Sequence, residues 1–144
     1  MESNKAADKN IQFLINANYQ RMMSFEQAAF LTSEETFKNF YLQKAEESEQ
    51  NIQQLYQLLN MEYTGDGIGE VVAGNTTDAY LPSVLNGKKS NSKILASLKV
   101  IEKTIGNWYK NTLKEISGLP KGTIELLKEQ YRSLGNAQLQ LEHL

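Results

Sequence analysis

Apolar residues recur at steps of three and four along most of the chain. Ile11, Leu14, Ile15, Met22, Phe25 and Ala29 share one face of a helix, helix A, expected over about residues 9–31. Thr32 with Glu35 three positions on has the form of a capping box, with Ser33 as an alternative N-cap. A second helix, B, then follows a very short connection and runs antiparallel to the first. It is expected over about 33–61, with Phe37, Phe40, Tyr41, Ile52, Leu55, Leu58 and Leu59 turned inward. Helix C, over about 92–117, carries Ile94, Leu98, Ile101, Ile105, Trp108, Thr112 and Ile116 on its stripe. Gly118 stops it, and Pro120 stands where the first position of a new helix favours proline. Helix D, over about 121–143, repeats the spacing with Ile124, Leu127, Tyr131, Leu134 and Leu141.

Between helices B and C the pattern breaks. Residues 63–92 contain five glycines and Pro82 and read as a crossover. A structureless stretch of that length is unusual inside a compact domain, so a short helix is expected at Thr77–Leu85, bent at Pro82 and laid across the bundle, with Val71 and Val72 as a brief extended segment instead. Four amphipathic helices, two short links and one long middle connection predict an all-α, ferritin-like antiparallel four-helix bundle spanning residues 9–144 as one domain. Residues 1–8, polar and without a stripe, are expected to be disordered.

Composition removes whole classes of chemistry. Among 144 residues there is no cysteine, and the one histidine, His143, is second from the end. Disulfides, thiolate metal sites, cysteine nucleophiles and any mechanism needing two histidines are therefore excluded. Fifteen basic against seventeen acidic residues give a formal charge of −2, which is no footprint for nucleic acid. The longest aliphatic or aromatic run, Ala28 to Leu31, is far too short for a membrane span, and a reducing cytoplasm is the expected compartment.

The middle of helix B departs from its own pattern. Between Leu42 and Ile52 the only apolar residue is Ala45. On a helical wheel Ser48 falls in the centre of the inward stripe and Glu47 on its flank, with Glu46 and Glu49 turned to solvent. At comparable height, Asn18 occupies the stripe of helix A, Gln138 that of helix D, and Glu102 the flank of the helix C stripe beside Tyr109. Buried carboxylates do not stay charged and unpaired, so a metal cation, a proton, Arg21 or a lysine must stand between Glu47 and Glu102. The alternatives are a metal site on those two glutamates or a hydrogen-bonded polar layer of Asn18, Glu47, Ser48, Glu102 and Gln138.

The stretches FEQAAF in helix A, FYLQKAEESEQ in helix B, the IL of KILAS and WYKNTL in helix C, and LP followed by LLKEQY entering helix D resemble, in order and spacing, a bacterial family of unknown function in the ferritin-like superfamily. Metal centres of that superfamily take one glutamate from each of two helices and a Glu-x-x-His pair from each of the other two. The resemblance puts those positions at Met22, at Glu47 and Gln50, at Glu102, and at Gly135 and Gln138. Two of the six keep a carboxylate, which implies a degenerate site and no cofactor; the alternative is a weak iron or manganese centre on Glu47 and Glu102 with oxidase or storage character.

Remaining signals point to surfaces. Lys99, Lys103, Lys110 and Lys114 fall within about 60° of one another on helix C, while helix B carries six acids from Glu34 to Glu62 against two lysines. The stripe has no arginine, which speaks against phosphate recognition and leaves complementary faces in a dimer or two solvated faces. GDGIGE at residues 65–70 lacks the strand and the third glycine of a dinucleotide fingerprint and reads as a link. Asn and Gln number 24, and amide-rich outer faces that include Gln53, Gln54 and Gln57 suit contact with a second copy or a partner protein. The expected protein is a non-enzymatic helical bundle with a structural or interaction role, plausibly a homodimer, with a small apolar ligand in the core beside Met22 as a further alternative.

Overall fold

The computed structural model describes residues 5–63, 90–116 and 118–144, which form four helices and no strand. They are α1 (Lys5–Leu31), α2 (Glu35–Leu58), α3 (Asn91–Glu115) and α4 (Lys121–Glu142). The described residues are all-α, and their helices pair as two hairpins, α1 with α2 and α3 with α4. The expected crossover segments at 65–70, 71–72 and 77–85 lie outside the described residues.

Contacts between the hairpins fix the topology. From one end of α1 to the other, Asn10 meets Glu115, Asn18 meets Tyr109, Arg21 meets Glu102 and Thr32 meets Asn91. Rising numbers meet falling ones, so α1 and α3 are antiparallel. Glu47 with Ser133 and Gln54 with Gln130 give the same sense for α2 and α4. Consequently α2 and α3 point the same way, and Leu58 and Asn91 lie at opposite ends of the bundle. The α1–α2 hairpin is the tightest packed pair, and α2 and α4 barely approach.

The helix ends show local chemistry at work. Asn60 takes a left-handed φ of 56° after α2, with its N–H donated to Gln57 and that of Met61 to Tyr56, a Schellman arrangement in which asparagine stands in for glycine. Ser90 caps α3 by accepting from the Lys93 N–H at 3.3 Å. The capping box expected at Thr32 does not form: α2 begins after Glu34, and the Thr32 hydroxyl instead accepts from the Glu34 N–H and donates to Asn91, tying the hairpin turn to the start of α3. Pro120 sits one position earlier than expected, at the N-cap of α4. At the chain start the helix reaches back to Lys5 and buries Ala7, inside the segment 1–8 that carries no stripe in the sequence.

The core follows the expected stripes with two shifts in phase. In α3 the buried position is Tyr109 rather than Trp108, whose ring is half-buried and edge-on to Phe13 at 4.9 Å. In α4 the buried set is Leu127, Gln130, Leu134, Ala137 and Leu141, and Tyr131 is exposed. Both shifts put a hydrogen-bonding side chain where an apolar one was expected.

Candidate functional site

Half-way along the bundle the core turns polar, and every helix contributes. Arg21 of α1 is 1 % exposed and is among the largest fully buried side chains described. Its guanidinium forks onto Glu102 of α3, Nε to Oε1 at 2.6 Å and Nη2 to Oε2 at 3.0 Å. Nη1 donates to Ser48 Oγ of α2 at 2.8 Å and reaches the Lys44 carbonyl at 3.5 Å. The Phe25 ring lies 5.2 Å beneath the guanidinium carbon. All three nitrogens of the cation are therefore bonded and its face is covered by a ring, which is how a planar, delocalised charge survives burial. Burial alone would lower the Arg21 pKa, but the charge and hydrogen bonds of Glu102, with smaller contributions from Glu47 and Tyr109, outweigh it, and the net direction is upward.

One turn toward the other end lies a neutral network. Asn51 of α2 donates to Asn18 Oδ1 of α1 at 3.1 Å, and Asn18 Nδ2 donates to the Tyr109 hydroxyl of α3 at 2.8 Å. That hydroxyl donates to Gln130 Oε1 of α4 at 2.5 Å, and Gln130 Nε2 returns to the Asn51 carbonyl at 3.4 Å and to Gln54 Oε1 at 2.9 Å. The donors point one way round a closed circuit through all four helices. Burial raises the Tyr109 pKa well above that of a free phenol, although the Asn18 bond and the Arg21 charge pull the other way. The phenol stays a donor.

The expected polar residues divide between this layer and its surroundings. Asn18, Ser48 and Glu102 are fully buried within it, and Glu102 lies in the centre rather than on the flank of α3. Glu47 stands at the edge of the layer, close enough for its charge to act on Arg21. Its side chain is 27 % exposed and pairs with Lys44 at 2.5 Å, one turn back on the same helix, with a weak 3.4 Å bond from Ser133. Gln138 is outside the layer altogether, half-buried on a groove between α3 and α4; Gln130, two turns earlier on α4, takes the inward place. Glu46 is exposed, and Glu49 is half-buried and accepts from the Tyr63 hydroxyl at 3.1 Å. Of the amides expected at an interface, Gln53 and Gln57 are exposed and Gln54 is also exposed but bonded to Gln130.

Sequence reasoning missed Gln130 and Asn51 and gave Arg21 only as one of several candidates. The spacing did carry the signal for both amides: Gln130 is in step with Leu127, Leu134 and Leu141, and Asn51 lies between Ser48 and Leu55 at steps of three and four.

These side chains do not fit a ferritin-like di-metal centre. Both oxygens of Glu102 are engaged by a guanidinium, and Glu47 is neutralised by Lys44. Met22 is half-buried, Gln50 and Gly135 are exposed, and Gln138 faces the groove. Among the described residues no group of three or more His, Asp or Glu is arranged to hold a metal ion. No helix among them is long and apolar enough to cross a membrane. No family model matches the chain, and no curated protein matches it either.

Proposed function

We propose that this chain is a ferritin-like bundle whose metal site has been replaced by an internal salt bridge, and that it works without enzymatic activity as a structural or protein-interaction module. The observation that carries this reading is the Arg21–Glu102 fork. A guanidinium bonded through all three of its nitrogens supplies the positive charge that a metal would otherwise bring to Glu102. The parallel course of α2 and α3, which requires one long connection, supports the ferritin-like connectivity. The closed hydrogen-bond circuit beside the fork supports a role in holding helices rather than in turning over a substrate, because its donors and acceptors are spent on one another.

Elemental analysis of protein purified without chelator tests the reading. The expected result is iron and manganese far below one atom per chain. Either metal near stoichiometric amount, lost on Glu102→Gln, would overturn it in favour of a weak di-metal centre on Glu47 and Glu102.

A further inference from the structure

The groove between α3 and α4, about 490 Å³, combines three features that nothing within the described residues uses. Gly106 and Gly135 face it from the middle of each helix, and a Cβ added at either would meet nothing within 4 Å, so packing inside the chain does not explain either glycine. Tyr131 and Leu139 line it at 37 % and 61 % exposure. Lys103 and Arg132 stand on its rim with no carboxylate in ion-pair distance among the described residues, and Lys99 and Lys110 share the Lys103 face of α3.

The complementary surface is on the same chain. Glu35, Leu42, Glu46 and Glu49 fall on the outward stripe of α2 together with the exposed Lys38; Leu42 is 45 % exposed, and Glu49 is half-buried and accepts from the Tyr63 hydroxyl. Charge divides the same way on a larger scale. Residues 5–63 hold five basic and eight acidic side chains, and residues 90–144 hold eight basic and five acidic. Helices α2 and α3 lie diagonally in the bundle, so one copy presents its acidic stripe and its basic groove in different directions.

We propose that the occupant of the groove is a second copy of this chain, which docks the Leu42 stripe of its α2 over Gly106 and Gly135, with Glu46 and Glu49 against Lys103 and Arg132. The contact is heterologous: each copy offers a groove and a stripe, so association continues past the dimer to a ring or a chain of subunits. An apolar stripe with acids alongside fits a groove with apolar walls and a cationic rim better than a bare polyanion does. The proposal rests on the interaction-module reading and names its partner. A metal-free monomer would overturn it and leave the loss of the metal site standing, whereas bound iron would overturn only that loss.

Sedimentation of the full chain decides it. At low salt the parent is expected to form species larger than a dimer, with affinity falling roughly tenfold or more as salt rises from about 50 to about 500 mM. Lys103→Glu with Arg132→Glu, and separately Glu46→Lys with Glu49→Lys, should each give monomers. Each variant keeps one intact half of the contact and the two reversed halves complement one another as well, so a one-to-one mixture should recover species larger than a dimer in which the variants alternate. A parent that stays monomeric at high micromolar concentration overturns the proposal. So does a variant that still dimerises alone, a mixture that stays monomeric, or a groove that binds labelled single-stranded DNA while the parent does not self-associate. Circular dichroism of each variant confirms that it is folded.

Discussion

Two ion pairs lie side by side in this bundle, joined where Arg21 reaches the Lys44 carbonyl, and they differ in almost everything except chemistry. Arg21 and Glu102 come from α1 and α3, 81 positions apart, with side chains 1 % and 0 % exposed. Lys44 and Glu47 are one turn apart on α2, and the glutamate keeps 27 % of its side chain in solvent. The local pair reaches beyond its own helix turn by hydrogen bond only through the weak 3.4 Å contact that Glu47 accepts from Ser133. The distant pair sets which turn of α1 meets which turn of α3. Burial makes the distant pair costly to form and costlier to break, since either ion left alone in the core has no water to turn to. The difference lies less in how much each pair stabilises the fold than in what each forbids: a slip of α1 against α3 by one turn strands two buried charges from different helices, and the loss of the Lys44–Glu47 contact strands one, the Lys44 ammonium, whose side chain is 7 % exposed.

The largest expected effect breaks the distant pair on one side only. Glu102→Ala should cost about 3–5 kcal/mol in urea denaturation, because Arg21 stays buried without its counter-ion. Replacing both partners, Arg21→Met with Glu102→Leu, should bring stability back to within about 2 kcal/mol of the parent or above it. If the double variant loses as much as the single one, the pair is a net source of stability and the contrast drawn above fails.

Tyr109→Phe opens the neutral circuit, leaving one Asn18 amide hydrogen without an acceptor, while the other keeps the Leu14 carbonyl, and leaving Gln130 Oε1 without its donor; it should cost about 1–3 kcal/mol by the same measurement. A loss below that range would mean that the amides close the gap themselves.

Smaller effects belong to groups outside this layer. The Tyr41 hydroxyl is buried with no hydrogen-bond partner among the described residues, and burial pushes its pKa up to about 12 from 10.0. A phenol whose pKa is higher in the folded state keeps its proton while the unfolded chain loses it. Its contribution to stability is therefore intact below pH 10 and is lost as pH rises toward about 12. Tyr41→Phe should raise stability at neutral pH by about 1 kcal/mol and make the alkaline decline shallower, with Tyr109, Tyr56 and Tyr19, whose pKa values burial also raises, contributing to the rest of it. An unchanged pH profile would show that Tyr41 finds a partner. Last, Glu47→Gln should change stability by about 1 kcal/mol, since the Glu47 carboxylate is partly exposed and glutamine still offers an oxygen to the buried Lys44 ammonium. A loss approaching that of Glu102→Ala would erase the distinction between the two pairs.

Much of this was legible in the residues. The four stripes, the very short A–B link, the stop at Gly118 and the polar interruption of helix B all follow from spacing, since a helix has to bury one face. The choice among adjacent positions was less so. Trp108 and Tyr131 outrank Tyr109 and Gln130 in hydrophobicity, yet only the latter are in phase with their helices once these are packed, and a glutamine in phase is buried if a phenol supplies its proton. Gln138 illustrates the reverse: the wheel turned it inward, and packing leaves it on the groove. Arg21 is harder still. An arginine in sequence reads as solvent-facing, and nothing local to it reveals a glutamate 81 positions away placed to receive it.

The hydrogen-bond circuit also bears on the order of folding events. Each hairpin closes over a link of only a few residues, so its apolar contacts are local and quick to form. Asn18 and Tyr109, by contrast, stand 91 positions apart, and their bond requires both hairpins to be in place. The circuit is thus a record of docking: it closes only after the two halves have found each other in register, and parting them during unfolding has to open it. Its members act as a latch, felt in the rate at which the native bundle comes apart more than in the rate at which its hairpins arise.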